Sequence, residues 1–207
     1  LLTEDYYVAN KFAKGFLGTP HVDTNSRLCM ASSVAGHRRA FGADTVPQTY
    51  EDLDLADLVV LVGSNAAWCH PILYQRIEAN RAARGARIVN IDVRRTATSE
   101  GADLDLTLRP GSDAVLWAGL LVHLAERGLL DHAFLAAHVE GFAETLANAR
   151  AIAPSPEAVA ARTGLDLAAI HAFHALFAAT PNVVTCYSQG VNQSAQGTDK
   201  VAAILNV

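Results

Sequence analysis

Leu58-Val-Val-Leu-Val62 is a continuous apolar run, largely β-branched, closed by Gly63-Ser-Asn65. Five apolar residues without polar alternation suit a parallel strand buried on both faces. Arg87-Ile-Val-Asn-Ile91, followed by Asp92, repeats the pattern, and so does Asn182-Val-Val-Thr-Cys186. A shorter strand falls near Leu104 to Leu108. Helical stretches lie between them. Ile72 to Arg84 reads as a helix ended by Gly85, and Ser112 or Asp113 caps a long helix to about Arg127. Residues 131–180 read as several short helices, one started by Ser155-Pro156-Glu157 and ended by Gly164. After the last strand, Gly190-Val-Asn-Gln-Ser194 leads into a helix from about Gln196. Strands alternating with helices predict an α/β fold: a Rossmann-like, mostly parallel sheet flanked by helices.

Upstream of the first strand the pattern is helical. Thr3 is positioned to cap a helix to about Leu17, with Tyr6, Tyr7 and Phe12 to Phe16 on an apolar side. Gly18-Thr-Pro20 stops it. A loop, His21 to Leu28, precedes a helix from about Cys29 to Phe41 that Gly42 closes. Residues 1–50 therefore read as a helical part from an adjoining domain, and 51–207 as the Rossmann-like domain, incomplete at its C-terminal end. Leu1 is not an initiator and the chain stops inside an apolar run, so it reads as an internal piece of a longer protein.

Composition narrows the function classes. Hydrophobic residues are 51% and charged residues 18% of 207, a folded composition rather than a disordered one. The net charge of -5 comes with no basic stripe, which removes electrostatic support for nucleic-acid binding. The longest apolar stretch, Ala114 to Ala125, is too short to span a bilayer, which needs about 20 residues, and no signal peptide is visible. The three cysteines, Cys29, Cys69 and Cys186, form no CxxC pair and no disulfide framework, which fits a reducing, intracellular setting.

In open α/β sheets ligands gather at the carboxyl ends of the strands. Three polar ends are visible: Gly63-Ser-Asn65 reaching to His70-Pro71, Asp92-Val-Arg-Arg-Thr96, and Ser188-Gln-Gly-Val-Asn-Gln193. Together they point to a shared site without naming its ligand. No GxGxxG follows the first strand and no GxxxxGK[ST] occurs, so a plain NAD or ATP fold is disfavoured. Cys29 sits where a polar loop, Thr24-Asn-Ser-Arg27, meets a helix. A helix N-terminus favours the thiolate, the form that binds soft metals, against the alternative of a small buried hydrophobe. Cys69 and Cys186 read as pocket wall and core. His171 and His174 have i, i+3 spacing that could share a metal, but no carboxylate accompanies them, and a surface location is expected.

Five segments in order carry a resemblance. Thr24-Asn-Ser-Arg-Leu-Cys-Met30 resembles the segment holding the molybdenum-ligating cysteine in nitrate reductases and formate dehydrogenases of the molybdopterin guanine dinucleotide family. Gly63-Ser-Asn-Ala-Ala-Trp-Cys-His-Pro71, Asp92-Val-Arg-Arg-Thr-Ala-Thr98, Arg109-Pro-Gly-Ser-Asp-Ala-Val-Leu116 and Gly190-Val-Asn-Gln-Ser194 with Gly197-Thr-Asp199 resemble its later cofactor loops. Val93 stands for the family's Pro and Ser112 for its Thr. The resemblance implies a catalytic subunit reducing nitrate to nitrite by oxygen-atom transfer at a bis-molybdopterin guanine dinucleotide molybdenum centre. Cys29 would be the metal ligand and catalytic residue. Ser64, Asn65 and His70 would lie along the cofactor. Asp92, Arg94 and Thr96 would bind a guanosine or phosphate portion, with Pro110, Gly111 and Asp113 near the guanosine. Gly190, Asn192 and Gln193 would approach a pterin. It also implies a 4Fe-4S cluster outside this segment, an electron-donor protein or subunit, contact with the rest of its own chain, and a cytoplasmic location, with a periplasmic one as runner-up; the charge pattern and the short apolar stretch lead us to expect no nucleic-acid or membrane partner. By itself the segment is expected to be inactive. A formate dehydrogenase of the same family is the near rival; Met30, rather than His, after the cysteine favours nitrate. A non-catalytic scaffold or electron-transfer subunit is the rival of another class, disfavoured by an intact Cys29.

Overall fold

A computed structural model of the chain describes residues 2–23 and 27–207. Leu1 and the Thr24-Asn-Ser26 part of the cysteine segment lie outside the described residues. Helix α1 (Thr3–Asn10) continues as a π-helical turn (Lys11–Phe16). Thr3 is its first residue rather than its cap. Leu2 holds the cap position, and its N–H donates to the Asp5 carboxylate. The expected apolar side is not covered: no residue from Thr3 to Phe16 is buried, and Tyr6, Tyr7, Phe12 and Phe16 are exposed. A 3-10 turn (Leu28–Met30) leads into α2 (Ala31–Phe41), closed by Gly42 in the left-handed region, φ 74°. Helix α3 (Tyr50–Leu55) precedes β1 (Leu58–Val62).

From β1 the chain alternates. Helices α4 (Ala66–Cys69) and α5 (Pro71–Arg84) lead to β2 (Arg87–Asp92). Helix α6 (Ala97–Glu100), a single short turn, leads to β3 (Leu104–Thr107). Then come α7 (Asp113–Glu126), α8 (His132–His138), α9 (Phe142–Ile152), α10 (Pro156–Thr163) and α11 (Leu167–Ala179). The last units are β4 (Val183–Tyr187), a short α12 (Gln189–Asn192) and α13 (Gly197–Leu205).

The four strands form one fully parallel sheet in the order β3-β2-β1-β4. β1 is buried throughout because helices cover both faces. Leu58, Val60 and Val62 point into a core with Trp117, Phe173, Ile170, Val159 and Val201, from α7, α10, α11 and α13. Val59 and Leu61 point the other way, onto Leu53 and Ile77 from α3 and α5. In the first layer Trp117 meets Phe173 and Phe177 edge to face, at ring separations of 5.9 and 6.4 Å. In the second, buried Asn80 donates from Nδ2 to the Leu53 and Ala56 carbonyls, tying α5 to α3 (both 2.8 Å). Among the described residues no helix is long and apolar enough to cross a membrane.

His174 departs from its expected surface position. It is 1% exposed, on the α11 face that packs toward α7, and its ring lies 4.8 Å from that of His123. Neither ring nitrogen has a hydrogen-bond partner among the described residues. His171, one turn earlier, is exposed. No group of three or more His, Cys, Asp or Glu among the described residues is arranged to hold a metal.

Burial, and then the nearby His123 and His171, push the His174 pKa down to about 4. The unfolded value is about 6.5. Folding therefore penalises the charged ring. The stability is fully present above pH ~6.5 and is lost as pH falls toward ~4, by an amount on the order of 3 kcal/mol. Amide exchange in α7 and α11, corrected for intrinsic rates, is expected to accelerate across that window. His174→Leu should flatten the dependence; equal pH profiles for both proteins would contradict this account of His174.

Candidate functional site

The order of the sheet reverses at β1: β2 and β3 lie on one side of it and β4 on the other. Such a switch point leaves a crevice at the carboxyl ends of the two diverging strands. The loops after β1 and β4 meet there. Ser188 N–H donates to the Val62 carbonyl (3.0 Å), and Gly190 N–H to the Gly63 carbonyl (3.0 Å). Gly63 has φ 54°, and a Cβ on Gly190 would come within 2.7 Å of the Gly63 Cα. Only glycine lets these two backbones approach so closely. The requirement for glycine at position 190 is thus met within the chain itself.

The Cys29 segment reaches the same edge. Cys29 is exposed and occupies the 3-10 turn ahead of α2, not the first turn of the α-helix itself. Arg27, just before this turn, adopts the left-handed region (φ 72°), uncommon for a non-glycine residue. Three contacts hold the segment. Asn192 Nδ2 donates to the Cys29 carbonyl (2.7 Å). His37 on α2 pairs with the Tyr187 hydroxyl at the end of β4 (2.8 Å). Gly36 lies so tightly on α13 that a Cβ there would come within 2.5 Å of Val201 Cγ1.

The other expected residues distribute along this edge. Ser64 is buried; Asn65 Oδ1 accepts from Thr98 Oγ1 (3.0 Å), and Thr98 Oγ1 also accepts from Ala67 N–H (3.1 Å). Buried Thr98 therefore fastens the loop after β1 to the loop after β2. His70 is exposed and, with Tyr50, Pro71, Ile72, Leu73 and Arg76, lines a mostly apolar cleft of about 460 Å³. Asp92 is half-buried, its carboxylate accepting from Val93 N–H (2.7 Å). Arg94 is exposed. Thr96 caps α6, its N–H donating to Ser99 Oγ (3.0 Å) in a capping box. Pro110 and Gly111 (φ 87°) occupy an exposed turn closed by Ser112 N–H on the Arg109 carbonyl (3.2 Å), the geometry that Pro-Gly favours. Gln193 is exposed beside Asn192.

Asp113 is turned inward. It is 5% exposed, and its carboxylate lies 2.8 Å from the ammonium of Lys200, itself 4% exposed. The pair joins the start of α7 to α13. Sequence reasoning passed over Lys200, and likewise Thr98 and Asn90. Buried Asn90 donates to Ser99 Oγ (3.0 Å) and to Asp105 (2.8 Å), tying β2 to α6 and β3. A polar residue inside an otherwise apolar strand was the available signal for Asn90; nothing local marks Lys200. Burial pushes the Cys186 thiol up to about 11, as befits a core position.

Removing one member of a buried ion pair strands the other charge. Lys200→Met is expected to cost roughly 3–5 kcal/mol, read as the opening free energy of α13 amides by hydrogen exchange. Adding Asp113→Leu should recover most of it. A silent single variant would show that the carboxylate is not held by Lys200.

Comparison with known proteins extends the picture. The family described as Molybdopterin oxidoreductase matches residues 1–207. A nitrate reductase of Shewanella frigidimarina is 50% identical over 206 residues, covering 100% of this chain and 22% of that protein. One from Klebsiella oxytoca is 51% identical over 208 residues, covering 100% and 23%. At lower identity, an F420-dependent formate dehydrogenase subunit alpha of Methanocaldococcus jannaschii matches at 30% over 204 residues, 99% of this chain and 30% of that one. Among solved structures, acetylene hydratase from Pelobacter acetylenicus superposes with a TM-score of 0.75 at 23% identity, covering 91% of this chain and 25% of that one, a likeness of fold. The chain spans under a quarter of the length of the two nitrate reductases.

Proposed function

The chain belongs to the molybdopterin oxidoreductase family, and from that premise we propose that it forms part of a catalytic subunit that reduces nitrate to nitrite. One observation carries the proposal: an exposed thiol, Cys29, is held by its backbone to the β4 end of the switch-point crevice. A thiolate is the donor suited to a soft, redox-active metal, and Gln193, beside the Asn192 that holds the Cys29 turn, is exposed, so the residues present fit a molybdenum–pterin group. When bound, that group supplies two-electron chemistry: nitrate takes up two electrons and two protons, and leaves as nitrite and water.

What the chain contributes is binding and orientation. Cys29 would ligate the metal. Ser64, Asn65 and His70 would lie along the cofactor, with Asn65 oriented by Thr98. Asp92, Arg94 and Thr96 would take the guanosine or phosphate portion of a guanine dinucleotide form. The exposed Arg94 supplies positive charge. Pro110 and Gly111 would lie near the guanosine; Asp113, paired with Lys200, would act by fixing their turn. Gly190, Asn192 and Gln193 would border a pterin. A second pterin dinucleotide, a 4Fe-4S cluster, an electron donor and a cytoplasmic setting complete the proposed whole protein. The reading also holds that the chain alone is inactive and keeps no stoichiometric molybdenum, because the remaining walls of the site belong to other parts of the protein.

The assay uses the full-length protein. Reduced viologen should be oxidised with nitrate as acceptor, and Cys29→Ala at matched molybdenum loading should lower turnover by roughly 100-fold or more, beyond the effect typical of a residue supporting a ligand. A molybdenum-loaded wild type that ignores nitrate and oxidises formate would replace this reading with the formate dehydrogenase one. Inactivity toward both would favour a scaffold.

A further inference from the structure

We propose that Asn192 is a positioning residue for Cys29. Its side chain holds the backbone of the metal-ligating turn in place instead of donating to a bound group. The inference rests on the reading of Cys29 as a ligand, but its geometry stands apart from that reading.

An asparagine amide has two N–H donors. One of those on Asn192 reaches the Cys29 carbonyl (2.7 Å) and the other Gln189 Oε1 (2.8 Å). No donor is left for a cofactor. The side chain is also sealed in, since Asn192 is 4% exposed.

Asn192 is itself anchored from two other directions. Through α12 it is tied to β1, by Gly190 N–H on the Gly63 carbonyl and by the contact of those two glycines. From the far side α13 closes over it: a Cβ on Gly197 would collide with the Asn192 carbonyl oxygen. Its neighbour Val191 is wholly buried. Asn192 thus connects the rigid sheet to a turn that has little rigidity of its own. The Cys29 turn is three residues of 3-10 helix, entered through a left-handed Arg27, and none of its residues is buried. Short 3-10 turns have weaker hydrogen-bond geometry than α-helix. A thiolate on such a turn needs an outside constraint to hold a fixed position, and ligand-supporting contacts of this kind tune metal sites.

The three cysteines make the test internal. Cys29 and Cys69 are both exposed, while Cys186 lies in the core layer of β4. The full-length protein, produced without molybdenum, is alkylated with iodoacetamide, and each cysteine is followed by peptide mass spectrometry. Asn192→Leu removes both donors without adding charge. Losing one such hydrogen bond should speed Cys29 labelling by roughly 2- to 10-fold, with Cys69 unchanged and Cys186 still protected. Gln189→Ala, which spares the bond to Cys29, should leave all three rates alone. In the loaded enzyme Asn192→Leu should lower kcat for nitrate with KM unchanged. Should Leu disturb the core, Asn192→Ser, too short to reach Cys29, should give the same selective acceleration. Unchanged Cys29 labelling, or acceleration of all three cysteines together in both variants, would overturn the proposal. Full nitrate turnover in Cys29→Ala would instead sink the reading of Cys29 as ligand, with the labelling result intact.

Discussion

Backbone contact between Gly63 and Gly190 is the constraint on which the rest of the site depends. It joins the ends of β1 and β4 where the sheet changes direction, closer than any side chain would permit. From this junction α12 carries Asn192 to Cys29, and α13 receives α2 at Gly36. A Cβ at either glycine would push backbone against backbone, and no rotamer change could relieve it.

Polar groups inside the layers do the remaining positioning. Thr98 fastens the loop after β1 to that after β2, Asn90 links β2 to β3 and α6, and Lys200 with Asp113 joins α13 to α7. Such groups are tolerated in the interior when they are paired, and they fix one arrangement among several that apolar packing alone would allow. The crevice is thereby framed by elements distant in sequence. His174, by contrast, is buried with both ring nitrogens lacking a partner among the described residues. Its burial beside His123 has no evident role in the site and makes the α7–α11 contact sensitive to acid.

Much of the fold was legible because parallel strands buried on both faces write themselves as unbroken apolar runs. Leu58–Val62 and Arg87–Asp92 lie where their sequences placed them, and Gly42, Gly85 and Gly164 close helices with positive φ as expected. What escaped was anything decided by a distant partner. His174 looked like a surface residue because residue type suggests exposure, whereas packing against α7 buries it. Asp113 and Lys200 carry no local sign of each other. The aromatic residues of α1 looked like an inward face, but no described residue buries them. The cysteine turn, where the sequence pattern predicts a helix start, is a 3-10 turn held by an asparagine 163 residues away. Local patterns report an element's type and ends, and they are silent on which side chain of another element will meet it.

The central proposal is that Cys29 faces a metal at the switch-point crevice. X-ray absorption at the molybdenum edge of the full-length protein, comparing wild type with Cys29→Ala at equal loading, tests this most directly. The variant should lose a sulfur neighbour from the metal's coordination shell. A sulfur shell identical in the two proteins would contradict it.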